Sequence, residues 1–110
     1  MIADKAREAV DQAIAYELKN IVKEHGAVYN SGHEGYAILK EEYEEALDCL
    51  HGLNDKIGVI WAGLKVNIVG RTAIYEAQEF AKALAEEAVQ CAAVCEKYLE
   101  TFGGINGDKK

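Results

Sequence analysis

The chain has no proline, one tryptophan, one methionine and two phenylalanines among its 110 residues. Helices tolerate the lack of proline, whereas loop-rich and β-sandwich proteins use it in turns, so the deficit points away from those classes. Cysteine is scarce and odd in number: Cys49, Cys91 and Cys95 fit no disulfide framework and suit a reducing compartment. Apolar stretches such as 59–64 are far too short to span a bilayer, and the first residues open into charged sequence without a signal-peptide core. Basic residues are also short, 12 against 19 acidic, for a net charge of −7. Phosphate contacts need a basic surface, which argues against a nucleic-acid polymer as partner. The expectation is a soluble cytoplasmic protein with no membrane partner. Free nucleotides are compatible with this charge, because a divalent cation reverses the sign of a local acidic site.

Half the residues are hydrophobic, many of them alanine. This length fits one domain, taken as 1–102 and followed by a flexible tail, 103–110. A core this small hides only part of its apolar surface. The expected fold is therefore all-α, a helical bundle of long antiparallel helices completed by oligomerisation. The first helix spans about 3–25, carried by Val10, Ile14, Leu18, Ile21 and His25, and ends at Gly26. After a loop, Ser31 and Glu34 match the S-x-x-E capping box. A second segment then keeps a three-or-four spacing from Tyr36 through Leu50 to Ile68. Gly52, Gly58 and Gly63 each weaken it by about 1 kcal/mol relative to alanine, so a kink or break is expected between His51 and Gly70. Residues 66–69 alternate weakly and are read as helix rather than strand. The third helix covers about 72–102, with Ala77, Ala81, Leu84, Ala88, Cys91, Cys95, Tyr98 and Phe102 as its seam, and Gly103–Gly104 is expected to stop it.

The chemistry-bearing pattern is the run Lys40-Glu41-Glu42-Tyr43-Glu44-Glu45. Glu42 and Glu45 are three apart and Glu41 and Glu45 four apart, so they share a helix face where like charges repel. A cation would relieve that repulsion, and convergent oxygens with retained waters are how magnesium is held. Glu87 and Gln90 form a second polar pair, three apart on the third helix. Two antiparallel helices permit Glu42, Glu45, Glu87 and Gln90 to meet. By spacing alone, an acidic run on a helix is usually a solvated face.

The segment Ser31-Gly-His33-Glu34-Gly35-Tyr36-Ala37, followed by Glu41-Glu42-Tyr-Glu-Glu45 and later by Glu87-Ala88-Val89-Gln90-Cys-Ala92-Ala93, resembles the MazG-like all-α nucleoside triphosphate pyrophosphohydrolases, in particular their short phage-type branch. The resemblance covers about 30–102. It implies dimeric or tetrameric assembly and magnesium-dependent release of pyrophosphate from nucleoside triphosphates. It also implies Glu42, Glu45 and Glu87 as metal ligands, with Gln90 where the family carries aspartate. The gap from Glu45 to Glu87 is longer than usual for the family. Glu41 is the candidate to polarise the attacking water, and His33, Lys65 and Arg71 are candidate substrate contacts. The alternative is a catalytically silent helical oligomer, an interaction module of phage or mobile-element origin with the same fold.

Other residues have plainer readings. Cys91 and Cys95, with Cys49 and His51, could ligate zinc, but as small apolar groups on the seam the cysteines are read as core. Trp61, in a run with Ile60 and Leu64, is read as buried between subunits rather than stacked on a base. Tyr29 and Asn30, just before the cap, could line a base pocket, although no spacing argument singles them out.

Overall fold

A computed structural model describes residues 3–106, with side chains described for 3–103. The described residues form three helices and no strand: α1 (Asp4–His25), α2 (Gly32–Leu64) and α3 (Arg71–Asn106). None of these helices is long and apolar enough to cross a membrane. The all-α expectation holds. Residues 107–110 of the expected tail lie outside the described residues.

The helix ends follow from local chemistry. Gly26 takes φ 89°, and its N–H donates to the Val22 carbonyl, closing α1 where its glycine predicted. At the start of α2, the Glu34 N–H donates to Ser31 Oγ (3.1 Å), while Glu34 Oε1 accepts from the Asn30 N–H (2.6 Å). The capping box is thus present, its return bond landing one residue earlier than the standard geometry. α2 ends in a Schellman motif. Asn67 takes φ 63°, its N–H bonds the Leu64 carbonyl, and the Ile68 N–H bonds the Gly63 carbonyl.

Two expectations need correction here, and a third is made more exact. Residues 66–69 are neither helix nor strand, because the left-handed Asn67 turns the chain out of α2. The break between His51 and Gly70 does occur, but at this cap, and α2 runs unbroken through Gly52, Gly58 and Gly63. Gly103–Gly104 does not stop α3, which continues to Asn106. Two glycines near the end of a long cooperative helix cost only about 1 kcal/mol each.

By their internal contacts the residues fall into two units, 1–42 with 89–110, and 43–88. In the second unit, Gly52 faces the Phe80 ring, Lys56 pairs with Glu76 at 2.8 Å, and Glu45 meets Glu87. The α3 number falls as the α2 number rises, in steps of four and seven, as a seam of near-parallel axes requires. A Cβ on Gly52 would overlap Phe80, so this glycine is a seat for a ring rather than a hinge.

The first unit is centred on the end of α3. Ala93, Val94 and Lys97 are buried, and Tyr98 packs its ring against Gly35 while donating its hydroxyl to the Gly32 carbonyl at 2.6 Å. The loop before α2 is pinned there too. The Tyr29 N–H donates to Thr101 Oγ1 (3.2 Å), and the Tyr29 ring meets Tyr98 edge-on at 6.0 Å. Ile14, Leu18 and Ile21 of α1 are half-buried, as their spacing predicted, whereas Val10 and His25 at the two ends of the series are exposed. The predicted α3 seam is out of phase in this unit. Cys91 is half-buried and Cys95 exposed, because the inward face carries Val94 and Lys97 instead.

Candidate functional site

The acidic turn of α2 and the middle of α3 carry the candidate residues. Within α2 itself, Glu41, Glu42 and Glu45 each offer a carboxylate oxygen, and these lie within 4.8 Å of one another. The helical period alone creates that crowding. Glu42 is half-buried with Oε1 shut off from solvent, while Glu41 and Glu45 are exposed. Hard oxygen donors in this number suit magnesium better than a soft metal. No cysteine–histidine group converges among the described residues.

In the second unit, Glu45 lies within hydrogen-bonding range of Glu87. Burial raises the Glu87 pKa, and the Glu45 hydrogen bond and charge raise it further. A bond between two carboxyl groups requires a proton on one of them, or a cation in its place. Glu87 Oε1 is itself buried without a hydrogen-bond partner. The same pair bears on Cys49: partial burial, then the charges of Glu87 and Asp48, push its thiol pKa up, away from thiolate chemistry.

In the first unit a cavity of about 410 Å³ opens between the pinned loop and the helices. Glu41, Glu42 and Gln90 line it together with Glu34, Tyr29 and Lys97, against an apolar wall that includes Val28 and Val94. Gln90 is half-buried and presents a neutral amide. Tyr29 is 6% exposed and Lys97 only 1%. The Lys97 ammonium sits 4.2 Å from the centre of the Tyr29 ring, close enough for a cation–π contact.

The candidate substrate residues are placed elsewhere. His33 is exposed in the first turn of α2. Lys65 follows α2 with its ammonium 5.8 Å from the Trp61 ring centre, and Arg71 opens α3 beside Val69, Ile74 and Tyr75. Lys97 is the buried polar residue that the sequence reading missed. A signal existed: it stands seven residues after Gln90 and three after Val94, so it shares their helix face.

Comparison of the chain with protein-family models, with curated proteins and with solved structures finds no match in any of the three.

Proposed function

We propose that this protein is a magnesium-dependent nucleoside triphosphate pyrophosphohydrolase of the MazG-like kind, releasing pyrophosphate and a nucleoside monophosphate. The observation that carries the reading is the meeting of Glu45 and Glu87, carboxyls from two helices held together at a cost in charge and burial. An arrangement that is unfavourable when empty becomes favourable around a divalent cation. The crowded Glu41–Glu42–Glu45 turn and the sequence resemblance support the same reading.

Glu42, Glu45 and Glu87 are the proposed anionic ligands, and Gln90 contributes a neutral carbonyl. Magnesium, when bound, would offset the triphosphate charge and activate water as a Lewis acid. Glu41 is the group that accepts the water proton. His33, Lys65 and Arg71 are kept as candidate contacts for the rest of the substrate. The test is pyrophosphate release from a panel of nucleoside triphosphates with magnesium. Glu45→Gln is expected to lower the rate roughly a hundredfold or more, the scale seen when one charge-stabilising group is removed. No release from any triphosphate, or an unchanged Glu45→Gln rate, overturns the proposal.

The second reading, a silent helical oligomer used as an interaction module, draws on two observations. Gln90 stands where the family carries aspartate, which lowers the charge available to a metal. In addition, Tyr36, Tyr43, Leu50, Ile57 and Leu64 recur every seven residues along α2, and all are exposed in the single chain. Such a stripe fits a homodimer or homotetramer whose copies complete an antiparallel bundle, with or without catalysis. Magnesium separates the two readings cheaply, since a ligand bound only by the folded state raises the melting temperature.

A further inference from the structure

The turn that joins α2 to α3 lies within the second unit, and it is apolar where turns are usually polar. Every residue from 64 to 69 is exposed. Val66, Ile68, Val69, Ile74 and Tyr75 are each between 44% and 65% exposed. Ten positions thus hold five of the seventeen large apolar side chains left exposed among the described residues. This patch lies beyond Leu64, where the seven-residue stripe of α2 ends. A stripe along one face suits a partner helix. Exposure on successive residues around a turn does not, since one helix covers only one side of it.

Charge sets the same end apart. Lys65 and Arg71 are the only charged residues between Lys56 and Glu76, although the whole chain carries −7. α3 begins there with no acidic residue in its first turn. Arg71 lines a recess of about 240 Å³ with Val69, Ile74, Tyr75 and Gln78, so a guanidinium and an apolar wall share one opening. The backbone is also suited to a medium poorer in water. The N–H groups of Lys65, Val66, Asn67 and Ile68 all bond carbonyls of residues 61–64. The turn can therefore leave bulk water without orphaning those donors.

We propose that this end docks peripherally on an anionic phospholipid bilayer. Val66, Ile68 and Val69 enter the boundary between headgroups and acyl chains, Lys65 and Arg71 meet lipid phosphates, and Tyr75 rests at the interface. Charge complementarity selects this occupant. A second copy would bring the same two cations to a contact between tips, and they would repel. An anionic bilayer attracts the tip and repels the acidic remainder of the chain, which fixes the end that approaches. The sequence expectation of no membrane partner rested on runs too short to span, and peripheral docking needs no span.

The test is co-sedimentation of the full chain with vesicles of phosphatidylcholine alone and of phosphatidylcholine mixed with phosphatidylglycerol. Wild type is expected to bind the mixed vesicles, to leave the neutral ones in the supernatant, and to release as salt is raised. Ile68→Ser should bind about tenfold more weakly, from the lost apolar contact. The double change Lys65→Gln with Arg71→Gln should weaken binding roughly thirtyfold, the effect of two cations at a charged surface. All three positions are exposed, so the variants should melt with wild type. Failure of wild type to bind the mixed vesicles, equal binding to neutral ones, or an Ile68→Ser protein that binds like wild type overturns the proposal. A lower solution mass of Ile68→Ser in vesicle-free sedimentation would make the tip a contact between copies, and the bilayer assignment falls on that outcome too.

Discussion

Glu87 sets binding against stability within one side chain. Its pKa is raised in the folded state, first by burial and then by Glu45, so the folded chain holds a proton that the unfolded chain has released. Stability therefore falls as pH rises from the ordinary glutamate range through the raised value, and the full penalty applies above it. Glu87→Gln removes that penalty. The metal-free variant is expected to melt higher than wild type at neutral pH and level with it below the ordinary carboxylate range, while its magnesium-dependent stabilisation is lost. Melting curves across that pH window check this. A variant that melts lower at neutral pH would mean that the carboxyl is held by a partner rather than strained. Spacing revealed the acidic residues but not the buried polar groups, Tyr29 and Lys97, of the first unit. Lys97 was missed because a lysine is expected at the surface, yet its long apolar stem and the Tyr29 ring let it stay 1% exposed. No single-sequence rule marks a hydroxyl such as that of Tyr29 as unsatisfied, since that property exists only once the loop is pinned.

At the level of the helices, periodicity and capping chemistry were legible, and glycine was where the reading failed. Gly26 and the Ser31–Glu34 pair act by local rules that the sequence displays directly. Gly52 and Gly58 look alike in sequence but differ in what faces them. The first is covered by Phe80, and the second has nothing within 4 Å of an added Cβ. Gly52→Ala should destabilise by about 1–3 kcal/mol, the usual cost of overpacking. Gly58→Ala should stabilise by up to about 1 kcal/mol through helix propensity. Denaturant midpoints at equal m-values measure both, and equal effects of the same sign would contradict the α2–α3 register. Asn67 offers a similar lesson. Its side chain tolerates the left-handed turn that ends α2, a cue outweighed in sequence by the apolar Val66, Ile68 and Val69 around it.

For the molecule as a whole, the balance of buried and exposed apolar groups is the deciding quantity. Among the described residues four hydrophobic side chains are buried, whereas seventeen large ones are exposed. Apolar surface on this scale is what the proposed self-association would cover, and whether copies cover it is open to direct measurement. The chain carries its own reporter. Trp61 is the only tryptophan, and it is 59% exposed in the single chain. It lies four residues after Ile57 of the seven-residue stripe, on the edge where a second helix would rest. In concentrated solution its fluorescence should therefore be blue-shifted, as for a buried indole. On dilution it should move to the red in step with a fall in mass measured by sedimentation. Trp61→Glu should give the lower mass at every concentration and a lower melting temperature, since a central aromatic at an interface contributes about 2 kcal/mol or more per copy. Red emission and a single-chain mass at all concentrations would instead mean that the stripe stays wet. The stability of the helices would then have to come from within each unit alone.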